Sequence, residues 1–193
     1  MRKLVYYVGV TLDGYIAGPD DEIDFFSLSD TMAAWIADHY PETIPTHMRP
    51  ALGLGETPNR SFDTVVMGRG TYEPALTAGI TSPYAHLRQL VVSTTLEASP
   101  DPAIESIVDD PLTAVRKLKS TEGLDIWLAG GGKLAASLLP EIDELIIKSY
   151  PVIAGSGRPV FSGAFQPTAF TPSDCTSLDD GVAITSFCRT TRN

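Results

Sequence analysis

Runs dominated by apolar residues are the feature that most restricts the fold of this chain. They are rich in β-branched and aromatic residues, and the clearest cover residues 3–10, 62–68, 88–94, 124–129 and 143–155. Such runs are typical of strands buried on both faces of a parallel sheet. Helical patterns lie between or before them, at residues 29–40, 71–79, 110–120 and 132–139. Because parallel strands need crossover connections, this alternation predicts an α/β fold.

Capping residues mark the ends of the predicted helices. Ser29 or Asp30 can cap the first helix, and Thr71 can cap the second, which carries Pro74 in its first turn and Gly79 at its end. The third is the clearest: Asp110 caps it, Pro111 takes the first helical position, and lysines occupy its last turn.

The C-terminal region differs from the rest because it reads as a hairpin that turns at residues 179–181. Residues 104–109 add a weaker strand. Together the elements predict a three-layer α/β/α sandwich with a mostly parallel central sheet and an antiparallel C-terminal edge hairpin. A length of 193 residues suits a single domain over 1–193. Residues 41–59 contain four prolines and predict a long surface loop, which we interpret as a lid over a site.

Composition limits the class of partner. The chain is 43% hydrophobic and 20% charged, which indicates a folded protein, and its net charge of −10 argues against a nucleic-acid partner. No apolar run reaches the roughly 18 residues of a membrane helix, and the start does not resemble a cleaved signal peptide. We therefore expect no membrane partner and a cytoplasmic location, with Cys175 and Cys188 as reduced thiols.

Three consecutive glycines, Gly130, Gly131 and Gly132, join a predicted strand to a predicted helix. They leave backbone N–H groups bare beside the positive end of that helix, and Lys133 adds a full charge, so the loop suits a pyrophosphate. The spacing satisfies G-x-G-x-x-A through Ala135, but no acidic residue follows about twenty positions later to hold a ribose. It is not a P-loop either. The alternative is a tight strand-to-helix turn with no ligand.

A second junction has similar chemistry. Gly68 ends a buried strand, and Arg69 offers planar, bidentate donors for a phosphate at the start of a helix. The alternative is a surface arginine beside an ordinary cap. Since both junctions follow strands of one parallel sheet, we expect them at the same edge, where an extended, multiply phosphorylated ligand would bind.

The ordered set of TLDGYIAGPD, VVMGRGTYE, LVVSTT, LAGGGKLAASLL and DELIIKSYPVIAGSGRPVF resembles the dihydrofolate-reductase-like superfamily. It is most similar to the branch related to the reductase domain of bacterial riboflavin biosynthesis, and the resemblance covers nearly the whole chain. It implies a three-layer sheet that binds NADPH across the strand ends, and it implies a homodimer. The family often has glycine where this chain has Asp21. A zinc deaminase signature P-C-x-x-C is absent from these 193 residues, so we do not expect a bifunctional riboflavin enzyme.

The resemblance also implies site residues. Arg69, Ser93 and Thr94 would lie near the adenosine 2′-phosphate, and Ile16, Ala17 and Ala129 near the nicotinamide. The remaining cofactor-binding set would serve the phosphate bridge and its surroundings: Gly68, Gly70, Thr71, Gly130, Gly131, Gly132, Lys133 and Leu134.

Asp13 is the candidate catalytic residue, because the first strand delivers its carboxylate to the edge of the crevice. It would orient substrate or relay a proton; the alternative is a turn residue that binds backbone before Gly14. Asp24, Trp35 and Tyr150 are candidate substrate contacts, although the two aromatic residues are more often core. The remaining chemistry-bearing residues, His39, Glu42 and His47, lack regular metal-ligand spacing, so we predict no metal site.

These observations predict an NADPH-dependent reductase that transfers hydride to a small flat C=N or C=O acceptor of pterin or pyrimidine type. A nucleotide-binding sensor or scaffold without turnover would share the phosphate loops, and so would a sugar- or nucleotide-phosphate enzyme.

Overall fold

The computed structural model describes residues 1–95 and 101–190. Its strands are β1 Leu4–Val10, β2 Tyr15–Ala17, β3 Phe62–Gly68, β4 Arg88–Val92, β5 Ile104–Ile107, β6 Asp125–Gly130, β7 Ile142–Ser149, β8 Arg158–Pro159, β9 Phe170–Ser177 and β10 Ala183–Arg189. Its α-helices are α1 Asp30–His39, α2 Arg69–Thr77, α3 Pro111–Lys119 and α4 Gly132–Leu138. Single-turn 3₁₀ helices cover Pro41–Thr43, Pro50–Leu52 and Leu139–Glu141.

The central sheet has eight strands in the order β5-β4-β3-β6-β1-β7-β10-β9. All pairs from β5 to β7 are parallel, whereas β10 runs antiparallel to both β7 and β9. A separate small sheet pairs β2 with β8. The predicted mostly parallel sheet with an antiparallel C-terminal edge hairpin is therefore confirmed.

Helices cover both faces of this sheet. Met32 of α1 and Tyr72 of α2 lie in one buried cluster, while Val115 of α3 and Leu138 of α4 lie in the other. Alternate residues of β1 enter the two clusters, because successive side chains of a strand point to opposite faces. This arrangement confirms the three-layer α/β/α sandwich. No helix in the described part of the chain is long and apolar enough to cross a membrane.

The predicted helix caps are confirmed for α1 and α3 and wrong for α2. Ser29 Oγ accepts from Met32 N at 3.0 Å, and Asp110 accepts from Thr113 N at 3.0 Å. In α2, however, Gly68 is the N-cap and Arg69 is already helical, so Thr71 lies inside the first turn. The strand passes directly into the helix there, which the sequence pattern does not reveal.

Of two further predicted ends, the end of α2 is confirmed and the end of β7 is wrong. Gly79, with φ +76°, follows the last turn of α2 and ends it as predicted. The strand predicted over 143–155 is shorter, because β7 ends at Ser149. Pro151 soon follows and has no N–H to continue the ladder.

The loop at 41–59 is not a lid over the predicted phosphate loops. The Glu42 side chain is fully buried and accepts from the N–H groups of Ser61 and Phe62 at 2.7 and 2.8 Å. The backbone carbonyl oxygen of Glu42 lies 2.9 Å from Nε2 of His86, which comes just before β4 in the chain. These contacts fix the loop to the amino ends of β3 and β4. The phosphate loops follow the carboxyl ends, at the opposite edge of the sheet.

Candidate cofactor and substrate site

The two glycine junctions lie side by side at the carboxyl edge of the sheet. They follow β3 and β6, which are neighbours in the sheet order. A Cβ added to Gly68 would lie 3.4 Å from the carbonyl oxygen of Gly130 and 3.5 Å from the nitrogen of Gly131. Thr71 Oγ1 lies 3.6 and 3.9 Å from the positions of a Cβ on Gly130 and Gly131. The sheet therefore brings together the two loops that the sequence placed at one edge.

The three glycines of the second loop have different physical roles. Gly130 has φ +123°, a conformation that residues with side chains rarely adopt. Gly132 is packed against the chain itself, because a Cβ there would lie 2.0 Å from the carbonyl oxygen of Pro159. Gly131 has φ −92°, and a Cβ there would meet only the ends of the Ile16 and Thr71 side chains, at 3.7 and 3.9 Å. Gly131 is thus the one glycine of the three that neither the backbone conformation nor close packing requires.

Arg69 belongs to a polar cluster at the carboxyl ends of β3 and β4. Its Nη1 donates to Thr95 Oγ1 at 2.6 Å, and its Nη2 lies 3.3 Å from Glu73. Thr95 N donates to Ser93 Oγ at 3.2 Å. About half of the Arg69 side chain is exposed, and Thr94 is exposed beside it. The geometry joins the predicted phosphate residues and adds Thr95, which the motif STT signals but which the sequence reasoning left out.

The residues predicted beside the nicotinamide lie on different layers around this edge. Ile16 of β2 reaches towards Gly131, and Ala17 is buried beside it. Ala129 packs into the cluster under α1 and α2. Leu134 is buried at 8% exposure and lies 3.8 Å from the Cβ position of Gly68, so it supports the loop from beneath.

Lys133 and Gly70 are exposed, as a role at the rim of a phosphate site requires. Helix α4, which begins at Gly132, has only seven residues. Because the helix is so short, its dipole contributes little positive charge at its N-terminus. The positive charge at this rim therefore comes from Lys133.

Both carboxylate oxygens of Asp13 accept hydrogen bonds from other groups of the protein. The carboxylate accepts from Thr11 Oγ1 at 2.6 Å and from the backbone nitrogens of Ala154 and Gly155 at 3.1 and 2.7 Å. The Thr11 hydroxyl, followed by these backbone N–H groups, lowers the pKa of the carboxyl. The contacts favour the turn-residue alternative, because both oxygens pin the loop after β7. A catalytic role for Asp13 stays a prediction.

The candidate substrate contacts share the α1 side of the sheet. Trp35 is partly buried and stacks on His39 with ring centroids 4.5 Å apart. Tyr150 is 7% exposed, and its ring lies 4.9 Å from that of Phe26. Asp24 is exposed on the loop before α1. The two aromatic residues therefore border one region, and their contact with a substrate stays a prediction.

Asp21, where the related family often has glycine, forms a bidentate pair with Arg158 of β8. The two bonds measure 2.8 and 3.1 Å, and Asp21 has φ +66°. A left-handed backbone explains why glycine suits this position. Here the ion pair ties the loop after β2 to β8.

One further groove in the structure contains no predicted site residue. A shallow apolar groove of about 310 Å³ lies on the α3/α4 side of the sheet, where Val10, Ile147, Phe161 and Phe187 line it. In the ranges 1–95 and 101–190, no group of three or more His, Cys, Asp or Glu residues is placed to hold a metal ion.

Comparison with known proteins gives a family match over almost the whole chain. The family model described as the RibD C-terminal domain matches residues 2–184. Among individual proteins, YwjB of Bacillus subtilis (strain 168), described as uncharacterized, is 32% identical over 166 residues, which are 83% of each chain. YyaP of the same organism, also described as uncharacterized, is 29% identical over 172 residues, covering 83% of this chain and 80% of its own.

Solved structures share the fold. A putative riboflavin biosynthesis protein from Shewanella sp. PV-4 superposes with a TM-score of 0.72 at 21% identity, covering 99% of this chain and 100% of the other. A diaminohydroxyphosphoribosylaminopyrimidine deaminase/5-amino-6-(5-phosphoribosylamino)uracil reductase from Thermotoga maritima superposes at 0.65 and 17% identity. That match covers 98% of this chain but 57% of the Thermotoga enzyme.

Proposed function

Because the chain belongs to the RibD C-terminal domain family, we propose that it is an NADPH-dependent reductase. The acceptor would be a small flat heterocycle or carbonyl compound of pterin or pyrimidine type. The observation that carries this proposal is the meeting of the two glycine junctions with the Arg69 cluster along one edge of the sheet.

Residues along this edge offer chemistry suited to each part of the cofactor: the 2′-phosphate, the pyrophosphate and the nicotinamide. Arg69 with Ser93, Thr94 and Thr95 offers a cation and hydroxyl donors to a 2′-phosphate, which NADH lacks. Thr71 in the first turn of α2 and Gly131 at the N-cap of α4 suit a pyrophosphate. Ile16 and Ala129 offer apolar contacts for a nicotinamide.

When bound, NADPH would supply the hydride, and the protein would supply position and electrostatics. Ile16 and the buried Ala17 would exclude water on one side of the nicotinamide. The lowered pKa of Asp13 keeps it ionised at neutral pH, so the proton that follows the hydride would come from water. Asp13 would instead hold the loop after β7 in place through Ala154 and Gly155.

A turnover screen tests the proposal. The wild-type chain is mixed with NADPH and a panel of pterin- and pyrimidine-like acceptors, and loss of NADPH absorbance is followed. Reduction of at least one acceptor supports the reductase. If NADPH binds tightly and no acceptor is reduced, the non-catalytic sensor or scaffold replaces it.

A homodimer and a cytoplasmic location stay proposals that rest on the family and on the sequence. Sedimentation at several concentrations tests the first, and localisation of a tagged copy of the protein in its own cell tests the second.

A further inference from the structure

The side-chain amine of Lys148 is partly buried and lies over an aromatic ring. Lys148 lies near the end of β7 and is only partly exposed. Its Nζ lies over the ring of Tyr7, 4.0 Å from the ring centroid. Within residues 1–95 and 101–190, it takes part in no hydrogen bond and no ion pair.

A partly buried ammonium without a carboxylate partner is costly, because buried charges are normally paired or neutralised. Burial lowers the pKa of this amine to about 8, and no neighbouring charge contributes to that change. Contact with an aromatic face compensates for part of the lost hydration, but it does not provide an acceptor for the three N–H donors of the ammonium.

The amine faces the same region as the candidate substrate contacts. In the sheet, Lys148 pairs with Gly9 of β1, and Tyr150 follows two residues later on the same side. Ala129 and Trp35 pack into the cluster on this face. Lys148 therefore stands on the α1 side of the sheet, near the carboxyl end of β7, and β1 alone separates β7 from β6, whose end carries Ala129.

A second polar group lies beside it. The ring under Lys148 belongs to Tyr7, which is 3% exposed and whose Oη has no hydrogen-bond partner of acceptable geometry among the described residues. Burial raises the pKa of this hydroxyl, an effect that the neighbouring Thr43 only partly opposes. The Tyr7 hydroxyl therefore stays a neutral donor, on the same aromatic ring that the Lys148 amine covers.

We propose that Lys148 anchors the acceptor, and that the acceptor is a flat ring carrying an anionic oxygen, such as a carboxylate or an ionised ring imide. This proposal rests on the proposed reductase function and specifies its substrate class. The anion would provide the partner that Lys148 lacks, and Tyr7 lies beside the same position. Lys148 is then a specificity-determining residue, because a neutral ring of the same shape would leave the ammonium unpaired.

Binding of a matched pair of probes tests the proposal without any turnover. Orotate is a uracil ring that carries a carboxylate, and uracil is the same ring without it. Titration calorimetry or saturation-transfer NMR would measure both probes, with and without NADPH. The proteins are wild type, Lys148→Met, Lys148→Arg and, as control, Lys117→Met on the exposed surface of α3.

We expect wild type to bind orotate roughly 10- to 150-fold more tightly than uracil, the ratio that a charge-assisted hydrogen bond gives. Lys148→Met should remove this preference and leave uracil and NADPH affinities unchanged, while Lys148→Arg should retain part of it and Lys117→Met all of it. Equal binding of the two probes by wild type, or an unchanged preference in a folded Lys148→Met protein, overturns the proposal. Absence of NADPH binding would overturn the reductase alone, since the probe titration without NADPH is a separate measurement.

Discussion

The carbonyl oxygen of Pro159 lies so close to Gly132 that a Cβ on this glycine would be 2.0 Å from it. The next contacts are also backbone atoms, at 3.2 and 3.3 Å, so the clash cannot be relieved by rotating a side chain. Strand β8 and the glycine loop are therefore packed backbone against backbone. Gly132 is thus explained by packing, as Gly130 is by its positive φ, before any ligand is considered.

Gly132→Ala should lower stability. Forcing an extra methyl group into packed backbone costs roughly 1–3 kcal/mol. For a chain of this size, that corresponds to a fall in Tm of roughly 2–12 °C, which thermal unfolding followed by circular dichroism would measure. A wild-type Tm would show that the loop and β8 are not packed in this way.

Gly131→Ala is the matched control and should behave in the opposite manner. The Cβ would make ordinary contacts with Ile16 and Thr71, and the backbone needs no left-handed conformation there. We expect a Tm close to wild type and a clear loss of NADPH affinity, because the methyl group would stand where the pyrophosphate approaches. Normal NADPH binding by this variant would remove Gly131 from the cofactor site.

Arg69→Ala should weaken NADPH far more than NADH. The guanidinium lies beside the hydroxyl of Thr95 and is half exposed, which suits a 2′-phosphate. Loss of a charge-assisted contact costs roughly 1.5–3 kcal/mol, so NADPH affinity should fall roughly 10- to 150-fold. Titration calorimetry with both cofactors measures the difference.

Arg88→Ala is the control for this prediction. Arg88 is also an exposed, ion-paired arginine, with Glu105 at 2.6 Å, but it lies at the amino end of β4. It should leave both affinities unchanged. An equal loss of NADPH and NADH in Arg69→Ala would place Arg69 away from the 2′-phosphate.

Asp13→Asn should lower the Tm at neutral pH and leave NADPH affinity unchanged. An amide cannot accept as the carboxylate does from Thr11, Ala154 and Gly155. Because the folded protein lowers the pKa of this carboxyl, its stabilising effect is present above the ordinary carboxyl pKa. The effect is lost as pH falls through the lower folded value, so the Tm difference should narrow in acid.

The competing outcome would restore the role predicted from the sequence. If the Tm is unchanged and turnover falls by roughly 10²–10⁴, Asp13 relays a proton or orients substrate. Asp179→Asn, at an exposed position in the β9–β10 turn, controls for the substitution itself.

Lys148→Met should stabilise the protein at pH 7, in contrast to most substitutions of a partly buried residue. A pKa lowered from 10.5 to about 8 corresponds to a destabilisation of at most about 3 kcal/mol. Methionine fills similar space without the charge. Chemical unfolding of wild type and variant gives the difference in free energy.

The pH dependence of that difference has a definite sign. The cost of the charged amine is fully present below about pH 8 and fades as pH rises towards 10.5, where the unfolded chain also loses the proton. The neighbouring Tyr7, Tyr40 and Tyr150 have raised pKa values, and Glu144 on the same strand is paired with Lys3. A gain that persists unchanged up to pH 10.5 would show that the amine is not the cause.

The fold was predictable because its signals are local and agree with one another. Runs dominated by apolar residues define β1, β3, β4 and β6, and Ser29 and Asp110 cap their helices as single residues can. Two predictions failed because the sequence motifs do not report how an element joins or contacts the rest of the chain. Thr71 does not cap α2, and the loop at 41–59 is anchored by Glu42 to β3 rather than covering the crevice.

The site was predictable only in part for the same reason. Because the strands are parallel, the sequence predicts one edge for Gly68 and Gly131, but their close approach depends on β3 lying beside β6, which sequence order does not reveal. The contact of Asp13 with Ala154 and Gly155 spans more than 140 residues, and no motif reports it. The sequence did not single out Lys148, because a lysine in a predicted strand is normally interpreted as an exposed residue.

Cofactor preference tests the central claim most directly. Wild-type protein is titrated with NADPH and with NADH by calorimetry under the same buffer conditions. The arrangement of Arg69, Ser93 and Thr95 predicts that NADPH binds at least roughly 10-fold more tightly, the difference expected from a charge-assisted contact to the 2′-phosphate. Equal affinity for the two cofactors, or binding of neither, would contradict the account.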